Sequence, residues 1–398
     1  MPDHRAQRMK FVQPNAIGEL LKHGGDPALI SFAGGYPDAE SFPTDKLDSV
    51  FHEVLANQGR TALQYTVSDG PLKLREQIAV RMRARGIDCA AEHVLVLQGS
   101  QQGLDLTAKL LIDPGNLIVT ENPTFLGALI AFNPFEPQYV GVPMNANGMD
   151  MDHLEHVLNT TSAVKLIYTI PDFQNPSGVT MGAVQRQRLI ELANQFDVMV
   201  LEDTAYRELR FAGDAPPTIK SLDTEDRVIM LGSFSKTLAP GLRLGWALAS
   251  EAIIRDLGLL KLAADTQSST LNMAVASLFL EHYDLDAHIT TLQGVYAHKK
   301  KLMLETIHSQ FPQEVNCIDP EGGLFTWLTF PKGFDTAAFM RDRALPIAKV
   351  AYVPGATFFP VTQEPNHARF NYSGQPDAKI VEGMTALGAL LQQEWQPA

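Results

Sequence analysis

Along the chain, short runs of consecutive apolar residues alternate with longer stretches in which apolar and polar positions recur every three to four residues. The runs are VLVL (94–97), NLIVTE (116–121), VKLIYTI (164–170), VMVLED (198–203), VIMLGS (228–233) and RLGWAL (243–248). They are rich in β-branched residues and lack the apolar-polar alternation of a half-solvated strand. This predicts strands covered on both faces, and strands alternating with helices imply a mostly parallel sheet. The segment GSQQGLDLTAKLLIDPG (99–115) reads as a helix stopped at Asp113-Pro114-Gly115, and a second helix is expected from a cap at Thr180 to about Gln195. After residue 250, helical patterns continue to about 309. EVNCID, GLFTWLTF, DTAAFMRDRA, KVAYVP and ARFNYS then read as strand, strand, helix, strand, strand. The fold class is therefore α/β with a smaller α+β domain: 1–45 as an N-terminal segment joining the small domain, 46–290 as the large domain, and 291–398 as the small C-terminal domain.

In sheets of this kind, ligands bind beyond the carboxyl ends of the strands. Gln98–Gln102, Pro171–Gly178, Asp203–Tyr206 and Ser233–Lys236 all fall at such ends. Lys236 sits in GSFSKTLAPGLRLGW (232–246), where an ammonium stands among small and apolar residues. A desolvated lysine loses its proton more readily and becomes an amine nucleophile. Ser233, Ser235 and Arg243 flank it as anion binders, and Gly99-Ser100-Gln101-Gln102-Gly103 opens a helix whose free N–H groups also suit an anion. Glycine turns before helices are common, so this last feature gains weight only from the others. Asp203 ends a buried strand, where a carboxylate needs a cationic or hydrogen-bonded partner; it caps the next turn or pairs with a protonated ring nitrogen. Glu202 points the other way. Asn175 and Tyr206 are placed to share one ligand oxygen, Phe125 offers a flat face, and Arg369 in ARFNYS suits a carboxylate.

Composition excludes more than it selects. The 398 residues are 45% hydrophobic with net charge −13, which argues against nucleic acid as a partner. Two distant cysteines, Cys89 and Cys317, suggest neither disulfides nor zinc. Without a signal-like or membrane-spanning apolar run, no membrane association and a cytoplasmic setting are expected. His153 and His156 read as surface residues rather than a metal pair, and the triple lysine 299–301 as a solvated helix face.

Together SFSKTLAPGLRLGW, LEDTAYREL, PDFQNPSG, LQGSQQGLDL, ENPTFLGAL and ARFNYS resemble the class I/II aminotransferases of the pyridoxal-phosphate fold type I superfamily, nearest the 2-aminoadipate and kynurenine aminotransferase II subgroup. FAGGYPDAESFP (32–43) and LQYTVSDG (63–70) fit the same subgroup. The resemblance spans about residues 10–390. It implies a large domain with a seven-stranded, mostly parallel sheet, the cofactor pyridoxal 5′-phosphate and a homodimer with shared sites. It also implies site roles. Lys236 would carry the cofactor covalently and then shuttle a proton. Asp203 would pair with the ring nitrogen, Asn175 and Tyr206 would bond the phenolic oxygen, and Phe125 would stack on the ring. Ser100, Gln101, Gln102, Ser233, Ser235 and Arg243 would surround the phosphate, with Tyr65 reaching it from the partner subunit. Arg369 would bind the substrate carboxylate, with Asn175, Gly35 and Tyr36 beside it. An L-amino acid and a 2-oxo acid such as 2-oxoglutarate would then exchange an amino group in ping-pong fashion.

Two positions depart from the pattern. Phe125 stands where the subgroup often has tyrosine, and Gly18 where aminoadipate-type members often carry arginine. The second departure favours aromatic or aliphatic donors, with Tyr36, Tyr65 and Phe11–Leu21 lining an apolar pocket. A lyase, decarboxylase or racemase on the same fold would share Lys236, Asp203 and Arg369. An effector-sensing regulator is not expected, because a DNA-binding winged helix has no room before the domain. A dehydrogenase is disfavoured by the lack of a G-x-G-x-x-G after the first strand.

Overall fold

The computed structural model describes residues 4–12 and 28–394. All six apolar runs form strands: Val94–Leu97, Leu117–Asn122, Val164–Thr169, Met199–Asp203, Val228–Ser233 and Gly245–Leu248. They share one sheet, which Gln138–Asn145 and Gly148–Met149 extend beyond Leu117–Asn122. The sheet thus has eight strands rather than the expected seven. The added pair was not legible because Gln138–Asn145 is an outer strand on which only Val142 is fully shielded. From Val228–Ser233 to Gln138–Asn145 neighbouring strands run parallel; Gly245–Leu248 is inserted antiparallel between Val228–Ser233 and Val94–Leu97, and Gly148–Met149 is antiparallel to Gln138–Asn145. The carboxyl ends of six strands consequently meet at one edge, Val94–Leu97 among them.

Successive residues of the central strands enter opposite cores, as the two-residue period of a strand requires. Ile118, Leu166 and Leu201 join one apolar cluster, which includes Leu104 and Leu106 of the helix Ser100–Leu111. Val119, Ile167 and Val200 join another, with Leu189 and Ile190 of the helix Ala183–Phe196. Each such side chain, wholly removed from water, contributes roughly 1.5–3 kcal/mol. Thr180 does not cap the second helix. Met181 donates its N–H to Pro171 O and Gly182 to Asn147 O, which holds the chain extended until Gly182 takes the cap position.

The helical stretch after 250 is three helices, Glu251–Asp265, Thr270–His282 and Leu285–Gln310. Thr266 at φ 65° ends the first, while Ser269 and Asp284 cap the others by accepting from Asn272 and Ala287 N–H. A four-stranded antiparallel sheet follows, in the order Asn316–Cys317, Phe325–Thr329, His367–Asn371, Val353–Pro354. KVAYVP divides between two sheets, since Val350–Ala351 pairs in parallel with Ile30–Ser31. DTAAFMRDRA is helical, as the α-turn Thr336–Phe339 followed by wider turns over Met340–Ala348.

The triple lysine is not a uniform solvated face. Lys301 is exposed and Lys300 pairs with Asp319, but Lys299 is 6% exposed and faces inward. The helix Leu285–Gln310 turns it toward the N-terminal segment, a direction that spacing alone does not reveal. His153 and His156 are exposed. Among the described residues, no helix is long and apolar enough to cross a membrane.

Candidate active site

A cavity of about 290 Å³ opens at the carboxyl edge of the large sheet, with Phe125, Asn175, Tyr206, Lys236 and Arg369 on its walls. Parallel pairing is what assembles it. Asn175 follows the strand Val164–Thr169, Tyr206 follows Met199–Asp203, Lys236 follows Val228–Ser233, and Phe125 follows Leu117–Asn122. Arg369 arrives from the small sheet, where it sits opposite Trp327 on one neighbour and Val353 on the other.

The Lys236 amine donates to the carbonyl of Gly35 at 2.8 Å. Burial, together with the nearby Arg369 and Arg243 guanidinium groups, lowers its pKa to about 8, against the opposing pull of Asp203. Asp203 is buried, and its carboxylate accepts from Tyr168 Oη and from Ala205 N–H, each at 3.2 Å. Burial nevertheless pushes its pKa up to about 6. A carboxylate so placed is stabilised by any cation that enters beside it. Asn175 donates its amide to Tyr206 Oη at 3.3 Å, and burial raises the Tyr206 hydroxyl to about 12, so it stays protonated at neutral pH.

Arg369 is 7% exposed and has no carboxylate partner among the described residues. Its terminal nitrogens donate to Asn175 Oδ1 at 2.7 Å and Ala33 O at 2.6 Å, and among the described residues its Nε has no partner. Its guanidinium carbon lies 4.2 Å from the Phe325 ring centroid and 5.0 Å from that of Phe358. Burial lowers its pKa to about 10, so the charge persists at neutral pH. A buried cation without a counter-ion is expensive, and an incoming carboxylate supplies what is missing.

A second anion cradle lies beside the cavity. Gly99, at φ 78°, caps the helix Ser100–Leu111, and a Cβ there would meet the Arg243 guanidinium at 2.7 Å. Arg243 itself occupies the left-handed region at φ 52° and is exposed. Ser235 N–H donates to Ser233 Oγ at 3.0 Å, which brings both serines to the same strand end. Helix N–H groups, two hydroxyls and a guanidinium form the donor set that a phosphate requires. The ring face has its own provision: a Cβ at Gly127 would strike the Phe125 ring at 2.4 Å. The residues present therefore fit a phosphorylated aromatic aldehyde with a basic ring nitrogen.

Three expected residues behave differently from the rest. Gln102 turns back, accepting from Gln98 N–H at 2.8 Å and donating to Asp265 at 2.7 Å, so its side chain is spent on the fold. Gln101 donates to Gly127 O at 2.7 Å and braces the turn below Phe125. Tyr65 stands 80% exposed on the surface. Gly35 and Tyr36 do line the cavity, whereas residues 13–20 of the expected Phe11–Leu21 wall, including Gly18, and Leu21 lie outside the described residues. Tyr168, Phe325 and Phe358 were missed. Tyr168 carried a signal, since a hydroxyl in a largely buried strand needs a buried partner.

The family description "Aminotransferase class I and II" matches residues 32–387. Aromatic-amino-acid aminotransferase 1 of Thermococcus litoralis is 41% identical over 96% of this chain and 93% of its own length. The crystal structure of Pyrococcus horikoshii kynurenine aminotransferase, in complex with PMP and with KYN as substrate, is 36% identical with a TM-score of 0.94, covering 99% of this chain and 98% of that one. LysN, the α-aminoadipate aminotransferase of Thermus thermophilus, complexed with N-(5′-phosphopyridoxyl)-L-leucine, is 34% identical with a TM-score of 0.91, covering 98% and 97%.

Proposed function

The chain belongs to the class I and II aminotransferases and is a pyridoxal-phosphate-dependent transaminase, and from that premise we propose how its residues divide the work and which amino acids it takes. The relatives named as aminotransferases favour transamination over the elimination, decarboxylation and racemisation chemistries that the same residues would serve. The observation that carries the site reading is the pairing, in one cavity, of a buried lysine whose pKa is lowered to about 8 with an arginine whose charge has no counter-ion among the described residues.

Lys236 would hold the cofactor through its amine, with Asp203 as the partner for its ring nitrogen and Asn175 and Tyr206 as the partners for its phenolic oxygen. Phe125 would cover the ring. Ser100 N–H, Ser233, Ser235 and Arg243 would take the phosphate. When bound, pyridoxal phosphate supplies an electron sink for the charge left at the substrate Cα. The chain's own part is then positional and acid–base. Asp203, made basic by burial, would favour a proton on a ring nitrogen placed beside it. Arg369 orients the substrate by its carboxylate, which aims the Cα–H bond. Once the substrate amine has taken its place on the cofactor, the freed Lys236 amine, whose pKa burial lowers to about 8, would be placed to accept the Cα proton and give it back. The apolar walls of Phe325, Val353 and Phe358 exclude water from this transfer.

We assign uncharged donors, aromatic and aliphatic, to the side-chain pocket. Lys236 and Arg369 are the only cations on the cavity wall among the described residues, and both serve groups common to every substrate. Pro37, Leu126 and Phe358 offer no donor to a second carboxylate, and Tyr36 offers only a neutral hydroxyl. The Thermococcus relative named for aromatic amino acids supports this choice. Glutamate and 2-oxoglutarate remain the second pair. A homodimer completes the site. Segment 63–67 carries the exposed Leu63, Tyr65 and Val67 and is tied to Thr270 by its bond to Gln64 O, while Leu259 and Leu262 are exposed on the adjoining helix. An apolar surface of that kind suits a second copy, with Tyr65 reaching across. The pairing of Ile30–Ser31 to Val350–Ala351 supports grouping 1–45 with 291–398, although the boundary between 290 and 291 falls inside the helix Leu285–Gln310. Two free thiols, Cys89 and Cys317, suit a cytoplasmic setting.

The test is borohydride reduction of the cofactor-saturated enzyme followed by peptide mapping. Label at Lys236 is expected, and label at any other lysine overturns the assignment. Alongside it, kcat/KM for phenylalanine and leucine should exceed that for 2-aminoadipate; the reverse order refutes the pocket reading.

A further inference from the structure

Lys299 is a buried ammonium that the transamination does not use. It sits on the helix Leu285–Gln310 and meets three acceptors: the Asp38 carboxylate at 2.9 Å, Gln375 O at 3.0 Å and Ser373 O at 3.2 Å. Three donors thus meet three acceptors, a match to a tetrahedral ammonium that a planar guanidinium does not reproduce. Lysine is seldom this buried, and here the charge is fully satisfied.

Those acceptors lie on two segments, 31–38 and 371–375, which also bind each other. Asn371 N–H donates to Phe32 O at 2.8 Å, Ser373 Oγ to Tyr36 O at 2.7 Å, and Gln375 to Ser31 O at 3.0 Å. Asp38 N–H is fixed in turn by Tyr296 Oη at 3.2 Å, from the same helix as Lys299. Between these anchors runs Ala33–Pro37, a wall of the cavity. Its carbonyls receive both functional cations, Arg369 at Ala33 O and Lys236 at Gly35 O.

We propose that Lys299 is a positioning residue for the reaction. By joining Asp38 to the 373–375 turn it sets where the Ala33–Tyr36 wall stands relative to Arg369 and Lys236, and so how tightly an amino acid is held. The inference rests on the reading of that wall as part of the substrate site. It needs no contact between Lys299 and any ligand.

The experiment uses the cofactor-saturated full chain with Lys299→Met, Asp38→Asn and the double variant. Hydrogen exchange in peptides covering 32–38 should accelerate about tenfold or more in each, while peptides of the strand Met199–Asp203 stay as in the wild type. KM should rise about tenfold for amino donors and 2-oxo acids alike, with kcat changed less than about threefold, because a displaced wall weakens holding before it alters the proton transfer. The double variant should be scarcely worse than either single one, since both remove the same link. Unchanged exchange at 32–38 overturns the proposal. Faster exchange with KM unaltered for every substrate overturns the positioning role, and it separates that failure from a wrong site reading, which would show as no donor turnover in the wild type. If Lys299→Met does not fold, Asp38→Asn carries the same comparison.

Discussion

Replacing Arg369 tests the site reading most directly. Its Nε–H and the second hydrogens of its terminal nitrogens are free to meet a carboxylate, because the others are engaged by Asn175 and Ala33. Methionine at 369 keeps an apolar stem between Phe325 and Phe358 but removes both the charge and the fork. Charge-assisted hydrogen bonds to a carboxylate are worth about 1.5–3 kcal/mol each. Two such bonds are lost, and relief of the buried charge returns part of that energy. A net loss of about 3 kcal/mol corresponds to a ~100-fold fall in kcat/KM. Lysine at 369 keeps the charge without the paired geometry and should fall between the two. The assay is the half-reaction followed by the cofactor's absorbance on rapid mixing with phenylalanine, leucine and glutamate. The starting spectrum also checks that the variant holds its cofactor. All donors share the α-carboxylate, so all should lose by a similar factor. A loss confined to one donor would refute the assignment and move Arg369 to side-chain selection.

Two more outcomes are expected. Burial holds Asp203 at about 6 against an ordinary 3.8, so between those values the folded state keeps a proton that the unfolded state has lost, and stability falls as pH rises through that window. Asp203→Asn should therefore make the cofactor-free protein more stable at pH 7, by up to roughly 3 kcal/mol, while abolishing turnover. Urea unfolding at pH 5 and pH 7.5 reads this. Glu121, raised by burial to about 7, adds a slope of the same sign, and His288, lowered by burial, adds one of the opposite sign; both are common to wild type and variant, so an equal change in stability between the two pH values in wild type and Asp203→Asn would contradict the argument. Mixing Lys236→Ala with Tyr65→Ala subunits should restore activity to roughly one site in four, since each mixed dimer rebuilds one intact site. No recovery after subunit exchange would remove Tyr65 from the partner's site.

Much of this site was legible because its residues stand at the ends of runs too apolar to be anything but buried strands. Asp203, Ser233 and Asn175 follow such runs, and the alternation of a strand separated Asp203 from Glu202, whose carboxylate accepts Ile219 and Lys220 N–H on the opposite face at 2.8 Å each. Other residues were hidden because their partners are remote in the chain. Tyr168 reaches Asp203 only through the register that sets Tyr168 beside Leu201. Gln102 sits in the expected turn, yet Asp265, 163 positions away, turns its amide from the phosphate cradle. Lys299 looked like one of three solvated lysines until the N-terminal segment was seen to lie over it.

Local chemistry and periodicity by themselves thus determined the sheet, the edge where a ligand binds and most of the groups that meet there, because burial and backbone turns act over a few residues. Which polar side chain serves a ligand and which serves the fold was decided only in three dimensions. Hydrogen bonds and ion pairs are short-ranged in space and blind to distance along the chain.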